Sequence, residues 1–287
     1  MTPSRSHIVA VRGLQYHVRA WGDPGAPPLF LLHGWMDVSA SFQFLVDAIA
    51  GRWHCLAPDW RGFGLSQWAD GGYWFPDYLA DLDALLDAFG GGAPVPLVGH
   101  SMGGNIACLY AGVRPARASH VVSLEGFGLA PSRPEDAPGR YARWLDELRA
   151  PAAFGRYASL DTVTRRLQKN NPRLGDDQAA FLARHWAAVT EQGAELRSDP
   201  RHKQPNPVLY RLEEAMACWR AITAPVLFVR GADSPASRLI EAAPEAFAQR
   251  AGCFRHLAHE VLSDAGHMLH HDQPQRLAQL IERFLSS

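Results

Sequence analysis

Ser101 stands in Gly99-His100-Ser101-Met102-Gly103, the spacing G-x-S-x-G. In a chain with 25 glycines that spacing alone is a weak signal. Its surroundings strengthen it. An apolar stretch, Pro96 to Val98, precedes it, and a helical pattern from about Gly103 to Val113 follows. A strand–turn–helix of this kind holds a serine on a sharp turn, and the flanking glycines let strand and helix approach without a Cβ between them. A serine hydroxyl is a poor nucleophile until a base takes its proton. Among 13 histidines the best placed is His267, in Asp264-Ala265-Gly266-His267-Met268, between the last strand and the last helix. Most histidines are plain surface or core residues, and His256, His259, His270 and His271 are read that way; the His100 imidazole is not required for catalysis by its neighbour.

A developing oxyanion needs two donors. The Met102 amide, directly after the serine, supplies one. The loop His33-Gly34-Trp35-Met36, after the apolar run Leu29 to Leu32, supplies the second from Trp35. The third partner of such a serine–histidine pair is a carboxylate that orients the imidazole. Two candidates stand at strand ends. Glu125, in Ser123-Leu124-Glu125-Gly126, is favoured, because a carboxylate following a buried strand needs partners. Asp233, in Arg230-Gly231-Ala232-Asp233-Ser234, is the alternative, and its plainer reading is a turn residue bonding its own backbone. Trp35, His33, Gly34, Phe127, Met268 and the distal Trp144 and Trp186 are candidate walls of an apolar pocket, although core packing explains the aromatic residues equally well. Asp59 and Arg61 read as structural braces.

The elements that must position these residues alternate. His7–Val11 and Leu14–Ala20 read as a hairpin, followed by strands at 29–32, 53–57, 96–98, 120–124, 225–230 and 254–261. Helical patterns lie at 42–49, at 79–89 behind an Asp77 cap, at 103–113, and after Pro274. Such alternation argues for an α/β fold with a mainly parallel eight-stranded sheet covered on both faces. It breaks near Leu129. The next ninety residues carry helical pieces (141–148, 161–168, 177–190, 208–221) and no strand pattern. The expected organisation is therefore a core of residues 1–128 and 222–287 with a helical cap, 129–221, inserted after strand 6 and lying over Ser101.

Composition sets the outer limits. The chain has 287 residues, 28 Lys plus Arg against 29 Asp plus Glu, and 47 % apolar residues. A net charge of −1 gives no footprint for nucleic acid or an anionic membrane. The cap stretch holds 15 basic and 12 acidic residues. The opening residues lack the apolar run of a signal peptide, and no run approaches the ~20 residues of a membrane span. A cytoplasmic monomer or homodimer is expected. Four scattered cysteines form no CxxC, so neither disulfides nor a metal are expected.

Taken together, His33-Gly34-Trp35, Asp59-Trp60-Arg61-Gly62-Phe63-Gly64-Leu65-Ser66, Gly99 to Gly103 and Gly266-His267 give the chain a resemblance to the α/β-hydrolase family over nearly its whole length. It is most similar to the serine hydrolase-like proteins and small bacterial esterases. That resemblance implies a cofactor-free serine hydrolase acting on a small-molecule ester, or on another acyl bond, with the acid usually placed after strand 7, three residues beyond a glycine. Ser234 fills that slot here, and Asp233 is one residue early. Some branches of the family place the acid at the end of strand 6, where Glu125 stands. Epoxide hydrolases and haloalkane dehalogenases use an aspartate nucleophile, and position 101 is serine. A catalytically silent binding protein on the same fold is the reading from a different class.

Overall fold

The computed structural model describes residues 1–49, 52–150 and 153–287. Ten strands are present among them: β1 (Arg5–Val11), β2 (Leu14–Trp21), β3 (Pro28–Leu32), β4 (His54–Pro58), β5 (Val95–His100), β6 (Ala118–Leu124), β7 (Ala187–Thr190), β8 (Gly193–Leu196), β9 (Val226–Gly231) and β10 (Leu257–Leu262). Eight of them form one sheet in the order β1-β2-β4-β3-β5-β6-β9-β10. The β1–β2 and β2–β4 pairs are antiparallel and the remainder parallel. The helices are α1 (Gln43–Ala48), α2 (Phe75–Phe89), α3 (Met102–Val113), α4 (Ala137–Arg149), α5 (Leu160–Asn170), α6 (Asp176–Trp186), α7 (Leu212–Ala221), α8 (Pro235–Ala242), α9 (Pro244–Ala251), α10 (Leu269–Asp272) and α11 (Pro274–Leu285).

The central strands are apolar on both faces, and two clusters cover them. On one side α2, α3 and α7 bring Leu82, Leu85, Ile106, Met216 and Trp219 against Phe30, Leu97 and Val121. On the other, α1 and α11 bring Leu45, Leu277 and Ile281 against Leu31, Val98 and Val229. Each such side chain contributes about 1.5–3 kcal/mol by leaving water. The sequence steps outward from β3 to β4 and then crosses back to β5, so the order reverses between β3 and β5. Open α/β sheets bind ligands at the carboxyl end of such a switch point.

Between β6 and β9 the chain leaves the sheet. Here α5, α6 and the β7–β8 hairpin share a small apolar core of Val163, Leu167, Leu182 and Ala194, which is tied to the main body through Phe44. Three sequence expectations are corrected. The helix read over 177–190 stops at Trp186 and becomes β7, because the turn at Gly193 (φ 125°) folds β8 back onto it and Ala194 pairs with Tyr157. The helix α7, assigned from sequence to the cap, packs on α3 so closely that a Cβ on Gly112 would strike the Cys218 carbonyl. Its amphipathic pattern is that of any surface helix, so its destination was not readable. Lastly, Asp77 is not the cap of α2. Trp74 occupies that position, and Asp77 lies in the first turn, paired with Arg12 at 2.9 Å and Arg61 at 3.3 Å. No helix among the described residues is long and apolar enough to cross a membrane.

Buried polar groups brace the loops beneath the site. Asp59 accepts from the Ser39 amide at 2.6 Å, the Leu65 amide at 2.9 Å and His17 Nδ1 at 2.8 Å. Burial alone would raise its pKa. The His17 bond, the nearby imidazoles and the Leu65 amide more than offset that and hold the carboxyl well below its usual range. Arg61 grips Asp81 with two bonds of 2.6 Å. Several histidines are buried instead as neutral rings. Burial lowers His33 to about 4, His202 to about 3 and His271 to about 4. The unfolded chain protonates these rings below its ordinary value near 6.5, while the folded chain does not, so stability falls as pH drops through 6.5 toward 4. Asp37, raised to about 6 by burial, works the other way but is outnumbered by these rings, with His100 and His270 lowered by burial as well. Chemical denaturation at pH 5 should give an unfolding free energy several kcal/mol below that at pH 7.5. An unchanged midpoint would mean that these rings are protonated in the fold.

Candidate active site

Register decides which residues meet at the carboxyl edge. Leu32 pairs with Gly99, His100 with Leu124, and Leu124 with Val229. The residues just beyond these pairs, namely the His33-Gly34-Trp35 loop, Ser101 and Glu125, therefore lie side by side. Ser101 has φ 50° and ψ −109°, a region that L-residues seldom occupy and that active sites tolerate. Its amide donates to the Leu124 carbonyl at 2.7 Å, which pins the turn to β6. The turn is this tight because α3 rests directly on the sheet. A Cβ on Gly103 would collide with the Leu32 carbonyl, and one on Gly99 with the Gly103 carbonyl.

Glu125 also has positive φ, 60°. Its amide donates to the Val229 carbonyl at 2.9 Å, and its side chain is fully buried. Oε1 accepts the Gly231 amide at 2.7 Å, while Oε2 lies 3.2 Å from His267 Nδ1. A carboxylate only accepts, so Nδ1 carries the proton and Nε2 is left with its lone pair. His267 itself is 43 % exposed and reaches the cleft. Among the described residues no hydrogen bond joins it to the Ser101 hydroxyl, a contact that in sites of this type tightens when substrate binds. Asp233 lies elsewhere. Its side chain is 54 % exposed and pairs with Arg173 at 2.6 Å. Ser234 caps α8 by accepting the Ser237 amide at 3.0 Å, with Pro235 in the first turn. The Ser-Pro pair is a helix-start signal, and in retrospect it separates position 234 from any acid role.

Ser101, His267, Gly34, Trp35, Met36, Asp37 and Met268 form the floor of a cavity of about 360 Å³. Its roof comes from the inserted segment: Phe154, Tyr157, Val163, Arg166, Leu167, Asn170, Trp186, Leu196 and Lys203. Met102 is the first residue of α3, where helix amides have no partner within the helix. Trp35 lies in the loop beside Ser101, and a Cβ on Gly34 would approach Ser101 Cβ to 3.3 Å. Met102 thus follows the serine directly, and Trp35 lines the same cavity.

Three expected pocket residues are not cleft residues. Phe127 points into the core, stacking on Trp219 and Phe228 with ring centroids 5.8 and 4.4 Å away. Trp144 borders a separate groove with Tyr73 and Trp74, because α4 lies away from the serine. His33 is fully buried. Its Nδ1 donates to the Gly34 carbonyl at 2.7 Å and its Nε2 accepts the Trp60 amide at 2.9 Å, so it shapes the loop from below. Sequence reading missed Arg166, Lys203 and the α5 residues. Their signal was present, since Val163, Arg166, Leu167 and Asn170 fall on one helical face, but nothing in the sequence says which face meets the serine. Asp37 was missed as well. Burial pushes its carboxyl up to about 6, against lowering contributions from Ser41, the Val38 amide and Trp186. The Trp186 indole N–H donates to Asp37 Oδ1 at 3.0 Å, tying roof to floor.

The profile of the alpha/beta hydrolase fold matches residues 27–274. A serine hydrolase-like protein from Danio rerio is 26 % identical across 93 % of this chain and 84 % of its own. A 3-hydroxybutyrate-oligomer hydrolase from Cupriavidus necator is 28 % identical across 97 % of this chain and 93 % of its own. Among solved structures, a thioesterase domain from the curacin biosynthetic pathway superimposes with a TM-score of 0.86 at 24 % identity, covering 98 % of this chain and 99 % of that one.

The close seat of α3 yields a paired prediction. Gly103→Ala should cost several kcal/mol, or prevent folding, because its Cβ meets backbone that cannot yield. Gly139→Ala, in α4 with open space around it, should instead stabilise by up to about 1 kcal/mol. Thermal melts of the two variants check both signs.

Proposed function

The chain belongs to the α/β-hydrolase fold family, and from that premise we propose that it is a serine esterase acting through an acyl-enzyme on Ser101. The observation that carries this reading is the Glu125–His267 pair, 3.2 Å apart, held in one cleft with a serine in strained backbone. The steps follow from the positions. Ser101 Oγ attacks the ester carbonyl as His267 Nε2 takes its proton. The buried Glu125 carboxylate balances the imidazolium that forms. The Trp35 and Met102 amides receive the charge that develops on the carbonyl oxygen. His267 then gives its proton to the departing alkoxide. Water, activated by the same ring, releases the acid.

The roof favours an ester that carries an anion. Arg166 lines the cavity and makes no hydrogen bond or ion pair among the described residues, and Lys203 Nζ sits 4.5 Å above the Phe154 ring. The remaining lining is mostly apolar, as suits a short acyl chain. The Cupriavidus relative, named for oligomers of 3-hydroxybutyrate, fits a substrate of this kind.

Hydrolysis of p-nitrophenyl esters and labelling by a fluorophosphonate test the mechanism. Ser101→Ala should abolish labelling and lower turnover by about four to six decades. Glu125→Gln should lower kcat by about two to four decades with KM little changed, while Asp233→Asn stays within about threefold of the parent. The opposite ranking of the two acid variants would reassign the triad, and turnover by Ser101→Ala above a tenth of the parent would exclude the serine.

The charge preference has its own measurement. Arg166→Gln should raise KM about tenfold for a p-nitrophenyl ester with a terminal carboxylate, consistent with loss of a charge-assisted contact. It should leave KM for p-nitrophenyl butyrate unchanged. Equal effects on both esters would remove the anion from the proposal.

A further inference from the structure

Three buried polar atoms without a hydrogen-bond partner, Asp37 Oδ2, His100 Nδ1 and His270 Nδ1, belong to residues that meet beneath the cleft. The three residues are each buried, and their potential donor atoms, one from each, all lie within 4.8 Å of one another. The residues come from three separate places at the carboxyl edge: the loop after β3, the last residue of β5 before the serine turn, and α10. Buried polar groups in folded proteins almost always find partners, so three orphans in one place call for an explanation.

The chemistry of the donors narrows it. His100 Nε2 lies 2.8 Å from the His267 carbonyl oxygen. A carbonyl only accepts, so Nε2 bears the proton and His100 Nδ1 presents a bare lone pair. Asp37 Oδ1 is already engaged by the Val38 amide and the Trp186 indole, while Oδ2 of the ionised carboxylate offers lone pairs only and faces His270 Nε2 at 4.0 Å. His270 Nε2 lies 3.0 Å from the Ser41 hydroxyl, which also reaches His271 Nε2 at 2.7 Å. When His270 donates to Ser41 and Ser41 donates to His271, His270 Nδ1 is bare as well. In that arrangement three lone pairs cannot satisfy one another. A water molecule has two protons and leaves one of them unmet, whereas a cation satisfies all three.

We propose that Asp37, His100 and His270 form a buried three-donor site for a divalent transition-metal ion such as Zn²⁺, and that filling it slows the hydrolase. Two imidazoles and a carboxylate are a donor set that suits zinc and its neighbours in the first transition series. Metal–ligand bonds of about 2.0–2.2 Å bring tetrahedral donors to roughly 3.4 Å apart, so the three side chains must close by about an ångström, a movement small enough for side-chain rotation. Asp37 and His100 also line the cavity that holds Ser101, which leaves the open coordination position facing the cleft. The second half of the proposal rests on the serine–histidine reading. The His100 ring lies 4.8 Å from His267 between centroids, and a cation bound to it opposes the positive charge that His267 acquires when it takes the serine proton. Occupancy should therefore lower kcat more than it raises KM.

The test uses the full chain, dialysed against a chelator and titrated with Co²⁺, whose visible absorption reports a low-symmetry nitrogen and oxygen environment. One equivalent should bind, and Zn²⁺ should displace it. Asp37→Asn and His270→Gln should each weaken Zn²⁺ binding by at least tenfold in calorimetry. Should His270→Gln fail to fold by circular dichroism, Asp37→Asn, which keeps the side chain's shape, carries the comparison. Absence of the Co²⁺ spectrum, as expected of a cluster that holds only water, overturns the site. So does tight Zn²⁺ binding that persists in the folded variants, because the ion would then sit on other histidines. Stoichiometric binding with an unchanged kcat toward p-nitrophenyl butyrate overturns the inhibitory half alone. A chain that binds Co²⁺ as expected but hydrolyses no ester would refute the esterase reading and leave the metal site standing.

Discussion

The contact on which the rest of the site depends is the seat of α3 against the ends of β3 and β5. Gly99 and Gly103 permit it, since a Cβ at either position would collide with backbone. Because the helix axis sits so close to the sheet, the connecting residue has no relaxed path between them, and Ser101 takes φ 50°. That strain is held by the Leu124 carbonyl, which binds the Ser101 amide at 2.7 Å, and by the first turn of α3, where the Asn105 amide donates to the Ser101 carbonyl at 3.1 Å. The serine is thus exposed by packing on all sides of it rather than by its own preference. The same compaction brings Gly126 against the Ser101 carbonyl, so the loop that carries Glu125 is built around the elbow as well.

Electrostatic order follows from this compaction. Few waters fit between elements packed this closely, so ionisable groups near the site must be paired or neutral. Both solutions occur. Asp59 is held charged by a dense donor set and Asp81 is paired with Arg61, whereas His33, His100 and His270 are pushed toward the neutral form by burial. His267 differs from these three because its loop lifts it to the cleft and Glu125 meets it from below. In the proposed mechanism one histidine exchanges protons with a substrate while its neighbours stay neutral, a separation of roles that arises from exposure and partner geometry rather than from residue type.

How much of this was legible in the sequence follows the same division. Strands β1 to β6, β9 and β10 were readable from their local patterns, and the glycines of the elbow announced their steric purpose. The resemblance carried by Gly99 to Gly103 and Gly266-His267 extended that reading to the whole core. Glu125 was legible only as a carboxylate at the end of a buried strand. Its contact with His267 depends on the β5, β6 and β9 register, which no local pattern fixes. Phe127 was misread because an aromatic residue one turn past the acid has the same sequence signature whether it faces the cleft or the core. The stacking of Phe127 on Phe228 and Trp219 is a product of strand twist and helix placement, both of them tertiary.

The inserted segment is where sequence reading is weakest and where the structure adds most. Its own apolar core is small, so its position over the serine depends on polar ties to the body: Trp186 to Asp37, Arg173 to Asp233 and Asn171 to Asp272. Each tie ends on a loop at the carboxyl edge. Asp272 uses its second oxygen to accept the Gly266 amide at 2.8 Å, immediately before the catalytic histidine of the proposed triad. The roof is therefore coupled to the loop that positions His267 as well as to the wall of the cavity. Asp233, one residue before the slot in which family members usually carry the acid, serves the roof through Arg173. With the acid of the proposed triad at the end of β6, the Asp233 carboxylate is left to anchor the segment that covers the site.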